Sequence, residues 1–391
     1  MGKIIAILFF FTSFYLLQAQ TISNRIVIED LPSCINETSR LILINGQLWS
    51  HNDSNKEPKL YCIDTTNGNI LQEKTILNAT NIDWEDITAD EQWIYIADCG
   101  NNGSNKRDYF TIYKIHKDSL NNNDSVITCQ HFIYFTYSDE IYQKNELRAS
   151  QSMFDCEAIL TKGDSLFLFS KNWMDNRCYI YGLPKTDNTC QTMDTLTPID
   201  SICLDYMVTG ADYYSNTIAL IGYIYNLDSY TLIPYISIIS DFDNNLFSSG
   251  NIQTFCLNNL SYHQTEGIAF LDKQHLLISN ERINKTMMET PIVIPAKIHA
   301  ISLDNHVSTT ENQQNKISIF PNPTENQINV TANKKIIKIE LTDHWGKMIK
   351  RQIILDKYGA INMEHLAQGV YYIKIFTEDN LITTKKILIQ K

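Results

Sequence analysis

The feature that most constrains this chain is a pair of short strands that recurs five times. The segments "ETSRLILINGQLWSHNDS", "DWEDITADEQWIYIADCGNN", "DCEAILTKGDSLFLFSKNW", "MVTGADYYSNTIALIGYIY" and "QTEGIAFLDKQHLLISNER" share one plan. Each opens on a polar residue, runs through an apolar strand, turns on polar residues, runs through a second apolar strand and ends in a polar cluster. A further strand follows each ("KLYCID", "YFTIYKI", "CYIYGL", "LIPYISIIS", "AKIHAISL"), and some copies add a fourth ("NILQEKTIL", "HFIYFTYS", "NIQTFCL"). Small antiparallel meanders repeated in this way predict a β-propeller. A stacked solenoid is the structural rival, but its repeats are usually shorter and more regular. The fold class is therefore all-β, with five visible blades and room for a sixth between Ile115 and Phe154. The early strand "RIVIED" is placed to complete the last blade and close the ring.

At 391 residues the chain is too long for one ordinary domain. Its 21 tyrosines suit pleated sheets, where aromatic side chains pack well. The formal charge of −12 argues against a nucleic-acid partner, which needs a basic footprint. The start, "MGKIIAILFFFTSFYLLQAQ", places Lys3 before an apolar run and Ala19 before a cleavage point, the pattern of a secretory signal peptide over residues 1–19. No other segment is long enough to span a bilayer as a helix. The expected organisation is then a propeller over 20–304, a polar linker over 305–315 ("NHVSTTENQQNK" lacks large apolar residues) and a small immunoglobulin-like β-sandwich over 316–391. The 9 cysteines lie in the propeller and include no C-x-x-C pair. Two readings stand side by side: disulfides, with Cys178 and Cys190 as a hairpin pair, or small buried hydrophobes.

The tail carries "IFPNP" (319–323), "DHWGK" (343–347), "LAQGVYYIKI" (366–375) and a lysine-rich last strand "TTKKILIQK". In this order and spacing it resembles the type A C-terminal sorting domain of the type IX secretion system of Bacteroidetes. The resemblance implies handling by that machinery, passage across the outer membrane, and secretion or attachment at the cell surface. From about Ser39 to Arg282, "LWSHNDS", "DWEDIT", "YIADCGNN", "DCEAI", "FSKNW" and "MVTGAD" resemble a group of secreted bacterial propeller proteins. That likeness implies the fold and no particular activity.

One polar residue stands at the start of each inner strand: Ser39, Glu85, Glu157, Thr209 and Glu266. The same register in every blade predicts one ring around one axis. Carboxylates gathered on an axis raise one another's pKa or hold a cation between them. Oxygen-only donors, several of them charged, suit Ca²⁺, and the absence of His or Cys at these places disfavours a softer metal. The ring, with "SRLILINGQLWSHND" and "EGIAF", is also similar to the calcium-activated nucleotidases (apyrases), five-bladed propellers whose axial Ca²⁺ is held by Glu and Ser residues at blade starts. That resemblance implies the five ring positions as metal ligands. For any single blade-start acid, a turn residue bonding backbone N–H groups is the plainer reading, and Asp83 and Asp86 are assigned to turns.

Antiparallel pairing returns each second strand to the face where the first begins. His51, Asn52 and Asp53, then Asp98, Asn101 and Asn102, then Lys171, Asn172 and Trp173, then Tyr223, and lastly Asn280, Glu281 and Arg282 should therefore surround the ring's mouth. The expected function is a binding or interaction module with an axial Ca²⁺ and an extracellular ligand. The rival is a Ca²⁺-dependent hydrolase of phosphate esters or anhydrides. There, Asp53 or Asp98 would activate water and Lys171 and Arg282 would neutralise substrate charge.

Overall fold

The computed structural model describes residues 20–53, 56–101, 107–138, 154–173, 177–226, 231–287, 290–305, 317–343, 347–378 and 382–390. The expected signal peptide and most of the linker lie outside the described residues.

Five antiparallel sheets surround one axis. Blade 1 is built on Ile42–Ile44, Gln47–Ser50, Lys59–Ile63 and Ile70–Leu77, and blade 2 on Trp84–Ala89, Trp93–Asp98, Phe110–His116 and His131–Tyr137. Blade 3 uses Asp155–Lys162, Ser165–Lys171, Arg177–Pro184 and Pro198–Cys203. Blade 4 uses Met207–Tyr214, Thr217–Asn226, Thr231–Ser240 and Asn251–Cys256. Blade 5 takes Thr265–Phe270, His275–Asn280 and Lys297–Asn305 from one end of the propeller and Gln20–Ile28 from the other. That first strand pairs antiparallel with Lys297–Asn305 and closes the ring, as its sequence suggested.

The inner strands touch in chain order, blade 2 directly against blade 3 and blade 5 against blade 1. Among the described residues no gap is left for a sixth blade. In the long interval after Ile115 the described residues form a short turn of 3₁₀ helix (Lys117–Leu120), Val126–Thr128, which extends blade 1, and His131–Tyr137; residues 139–153 lie outside the described residues.

The middle strands read as continuous apolar runs because both of their faces are buried. In "WIYIAD", Ile94 and Ile96 enter the core shared with blade 1, while Tyr95 and Ala97 enter the core shared with blade 3. Equivalent cores fill the junctions of blades 3 and 4, 4 and 5, and 5 and 1. The same alternation corrects the disulfide expectation. Cys178 on Arg177–Pro184 points into the core between blades 3 and 4, Cys190 sits half-buried on a loop, and neither is bridged.

In the tail, Ser318–Phe320, Gln327–Asp343, Met348–Asn362, Gly369–Thr377 and Ile382–Ile389 form one antiparallel network. Gln327–Asp343 shifts register between Thr331 and Ile336, which lets the long strands bend around a core of their own that includes Ile328, Ile339, Ile373 and Ile387.

Candidate functional site

One local irregularity recurs in every blade. The inner strand slips by one residue between Trp84 and Asp86, Cys156 and Ala158, Val208 and Gly210, and Thr265 and Gly267. In blade 1 the Thr38–Asn52 bridge and the Ile42–Trp49 pair differ by the same single step. A β-bulge re-aims the side chain it contains. The residues within these bulges are Glu85, Glu157, Thr209 and Glu266, with Ser39 in the matching stretch of blade 1. All five are buried.

They do not share one environment. Lys171, from the end of blade 3's second strand, turns inward and places its ammonium 2.9 Å from Glu157 Oε1, both side chains being at least 95 % buried. That ammonium also lies 5.0 Å from the Trp173 ring centre and 5.4 Å from that of Tyr223. On this side of the axis the cation is therefore the protein's own. Across from it, Gln264 Nε2 donates to Glu266 Oε1 (3.0 Å) and to Glu281 Oε2 (2.8 Å), tying two buried carboxyl groups together. The hydroxyls of the ring are already engaged with backbone. Thr209 Oγ1 donates to Thr265 O at 2.6 Å and Ser39 Oγ to Glu37 O at 3.3 Å.

Glu85 is different. It is 3 % exposed, and its Oε1 is buried with no hydrogen-bond partner. Its carboxylate belongs to two compact groups of acids, one with Asp53 and Asp83 and one with Asp155 and Glu157. The loop after blade 2's second strand closes over the first group through Gly100, whose N–H donates to Asp83 O at 3.2 Å. A methyl group at Gly100 would stand 2.0 Å from Glu85 Oε1 and 2.3 Å from Asp83 Oδ2, so only glycine leaves both oxygens where they are. Asp155 is held by Asn101 N (2.8 Å) and Trp173 Nε1 (2.9 Å). Burial, then the charge of Glu157, drives the Glu85 carboxyl well above the usual range. Burial and the charge of Asp155 raise Asp83 to about 6, with Arg107 opposing. Burial also raises Glu157, Glu266 and Glu281. The group is thus a store of protons or a place for an added cation. Its donors are oxygens only, one buried and two at the half-exposed rim within reach of water, and they fit a hard divalent ion.

The other expected rim residues mostly serve the fold. His51 is fully buried, edge-on to Trp84 at 5.7 Å, with burial lowering its pKa to about 4. Asn52 donates to Cys34 O (2.7 Å), Asn172 to Arg177 O (3.0 Å) and Asn280 to Glu281 O and Pro295 O (both 2.9 Å). Asp98 accepts from Asp83 N (3.0 Å) and Tyr113 OH (3.4 Å) and pairs with Arg107 at 2.9 Å. Arg282 pairs with Asp30 and donates to Asn36 Oδ1 at 3.0 Å. Asn102 lies outside the described residues.

Sequence reasoning missed Asp83, Asp155 and Gly100 at the site, and Arg40 within the axis. Arg40 is 0 % exposed and pairs with Asp86 (2.8 Å) and Asp212 (3.4 Å). Asp86 in turn accepts from Ile159 N (2.6 Å) and Asp212 from Phe270 N (2.7 Å). One guanidinium and two carboxylates thus link all five blades, and Asp86 is a structural residue rather than a turn. The opposite axial mouth is an open funnel of about 1260 Å³, away from the acidic group, lined by Thr88, Trp93, Tyr213 and Phe270 among others.

Residues 318–390 match the family model described as the secretion system C-terminal sorting domain. The tail is a secretion-system sorting domain. It marks the chain for export, to the outer membrane surface or the medium. Among solved structures, PorZ, a surface component of the type IX secretion system of Porphyromonas gingivalis, matches at 10% identity over 90% of this chain and 70% of its own, with a TM-score of 0.22. The extracellular domain of BT4673 from B. thetaiotaomicron matches at 12% identity over 90% of this chain, with a TM-score of 0.30, and this chain spans 49% of its length. The Bombyx mori GH32 β-fructofuranosidase BmSUC1 matches at 11% identity over 94% of this chain and 89% of its own, with a TM-score of 0.38. Scores this low carry no argument about the site. No curated protein matches the sequence. Among the described residues, no helix is long and apolar enough to cross a membrane.

Proposed function

We propose that this chain is a surface-delivered binding module whose axial mouth holds a divalent cation, Ca²⁺ by its donor set, and presents it to an extracellular ligand. The signal peptide at 1–19 and the type IX machinery would deliver it, with the propeller over 20–304 and the sorting domain over 316–391. The observation that carries the reading is the buried, unpartnered Glu85 Oε1 among Asp53, Asp83, Asp155 and Glu157. An unpaired buried carboxylate oxygen is costly, and a cation relieves that cost.

Glu85 with Asp53 and Asp83 would hold the ion, and Asp155 and Glu157 would strengthen the local field. When bound, the cation supplies open positions for oxygen donors of a ligand. Trp173 and Tyr223, ordered around Lys171, form the neighbouring wall. The hydrolase reading gains no group to activate water at Asp98, whose oxygens are bonded within blade 2. Arg282 is likewise paired away from the acids.

The test is a thermal melt of the full chain with chelator and with excess Ca²⁺. An ion at about 100-fold its Kd adds about 2.7 kcal/mol to a fold that alone binds it, a rise of several degrees. An unchanged midpoint removes the ion from the account.

A further inference from the structure

The carboxylates at the mouth are backed by a thiol pair that they do not use. Cys99 follows Asp98 and precedes Gly100; Cys156 lies between Asp155 and Glu157. The two belong to different blades, yet both enter the single core between blades 2 and 3, at 0 % and 1 % exposure. Both are free thiols in the structure; Cys99 Sγ lies 3.2 Å from Cys156 O, Cys156 Sγ lies 3.7 Å from Ala158 O, and the two thiols stand within hydrogen-bond reach of one another. Both side chains are buried, closed to outside reagents once the junction has formed, so their chemistry belongs to folding.

We propose that Cys99 and Cys156 are joined by a disulfide in the exported protein, a staple between blades 2 and 3 directly behind the acidic group. The sorting domain sends the chain through the periplasm, where such bonds form and persist. The oxidant is the disulfide of a periplasmic thiol oxidase. One cysteine thiolate attacks that disulfide and forms a mixed disulfide. The second thiolate then attacks the cysteine sulfur of the mixed disulfide, releasing the oxidase as a dithiol. Two thiols of this chain lose two protons and two electrons, and the oxidase gains them. The step precedes closure of the junction, because neither sulfur is accessible afterwards. The bond closes a long loop, where restraint of the unfolded chain is greatest. It also fixes the backbone on either side of Gly100 and Glu157, and with it the gap across which Glu85, Asp155 and Glu157 meet.

The full chain, exported through an oxidising periplasm, is unfolded in denaturant without reductant, alkylated and mapped by mass spectrometry. The proposal expects the peptides carrying Cys99 and Cys156 to appear as one linked species, about 2 Da lighter than the sum of the two thiol peptides. Exposed Cys34 and Cys203 should be alkylated in the same sample. A Cys99→Ser change should free Cys156 for alkylation and lower the melting midpoint by several degrees. Alkylation of both Cys99 and Cys156 in the unreduced wild-type chain overturns the proposal, as does a link from either one to another cysteine such as Cys178. The wild-type map decides the matter even if the serine variant does not fold.

Discussion

Asp83 offers the sharpest quantitative test, because its carboxyl is raised from 3.8 to about 6 by burial and by the charge of Asp155. That rise amounts to about 3 kcal/mol held against the folded state whenever Asp83 is ionised. The folded form binds the proton more tightly than the unfolded form, so this stability is full below about pH 4. It is lost as pH rises towards 6 and stays lost above. An Asp83→Asn change removes the charge. Urea denaturation of the chelator-treated full chain at pH 8 should show the variant more stable than wild type by about 2–3 kcal/mol, and the difference should vanish near pH 4. In saturating Ca²⁺ the order should reverse, because wild type gains an ion that the variant holds poorly. A variant no more stable at pH 8 in chelator, or equally stabilised at pH 4 and pH 8, refutes the account of Asp83.

Gly100→Ala should push the Glu85 and Asp83 oxygens aside, since its methyl would stand at 2.0 and 2.3 Å from them. Cation affinity, read by terbium luminescence, should fall at least tenfold, about 1.4 kcal/mol. Thr209→Ala should leave that affinity within about twofold, because its hydroxyl donates to Thr265 O, and should cost only about 1 kcal/mol of stability. Arg40→Met leaves Asp86 and Asp212 buried without their guanidinium and should cost about 3–5 kcal/mol in denaturant. Adding Asp86→Asn and Asp212→Asn should recover much of that loss. Cation affinity should weaken from pH 8 to pH 5, because protons compete for Asp83 and Glu85.

The blades were legible because their middle strands are apolar on both faces and recur with the same polar flanks. The ring register was legible for a related reason: each flanking residue falls in the same bulge. The environment of the ring was not. Lys171 sits at a strand end, where alternation does not tell rim from axis, and only the packed blade shows its ammonium against Glu157. Asp83 looked like a turn acid and Asp155 drew no reading, because their partners come through the Gly100 loop and through Trp173. Arg40 was hidden for the same reason, since Asp86 and Asp212 come from other blades. The unused length after Ile115 suggested a blade, but part of it extends blade 1 in parallel, a pairing that no local pattern announces.

The central claim is that Glu85 holds a cation at the axial mouth. Isothermal titration of Ca²⁺ into the chelator-treated full chain at pH 8, for wild type and for Glu85→Gln, tests it directly. The account predicts saturable binding by wild type and its loss in the variant, with the variant's fold intact by circular dichroism and at least as stable in chelator. No binding by wild type, or equal binding by both, would contradict it.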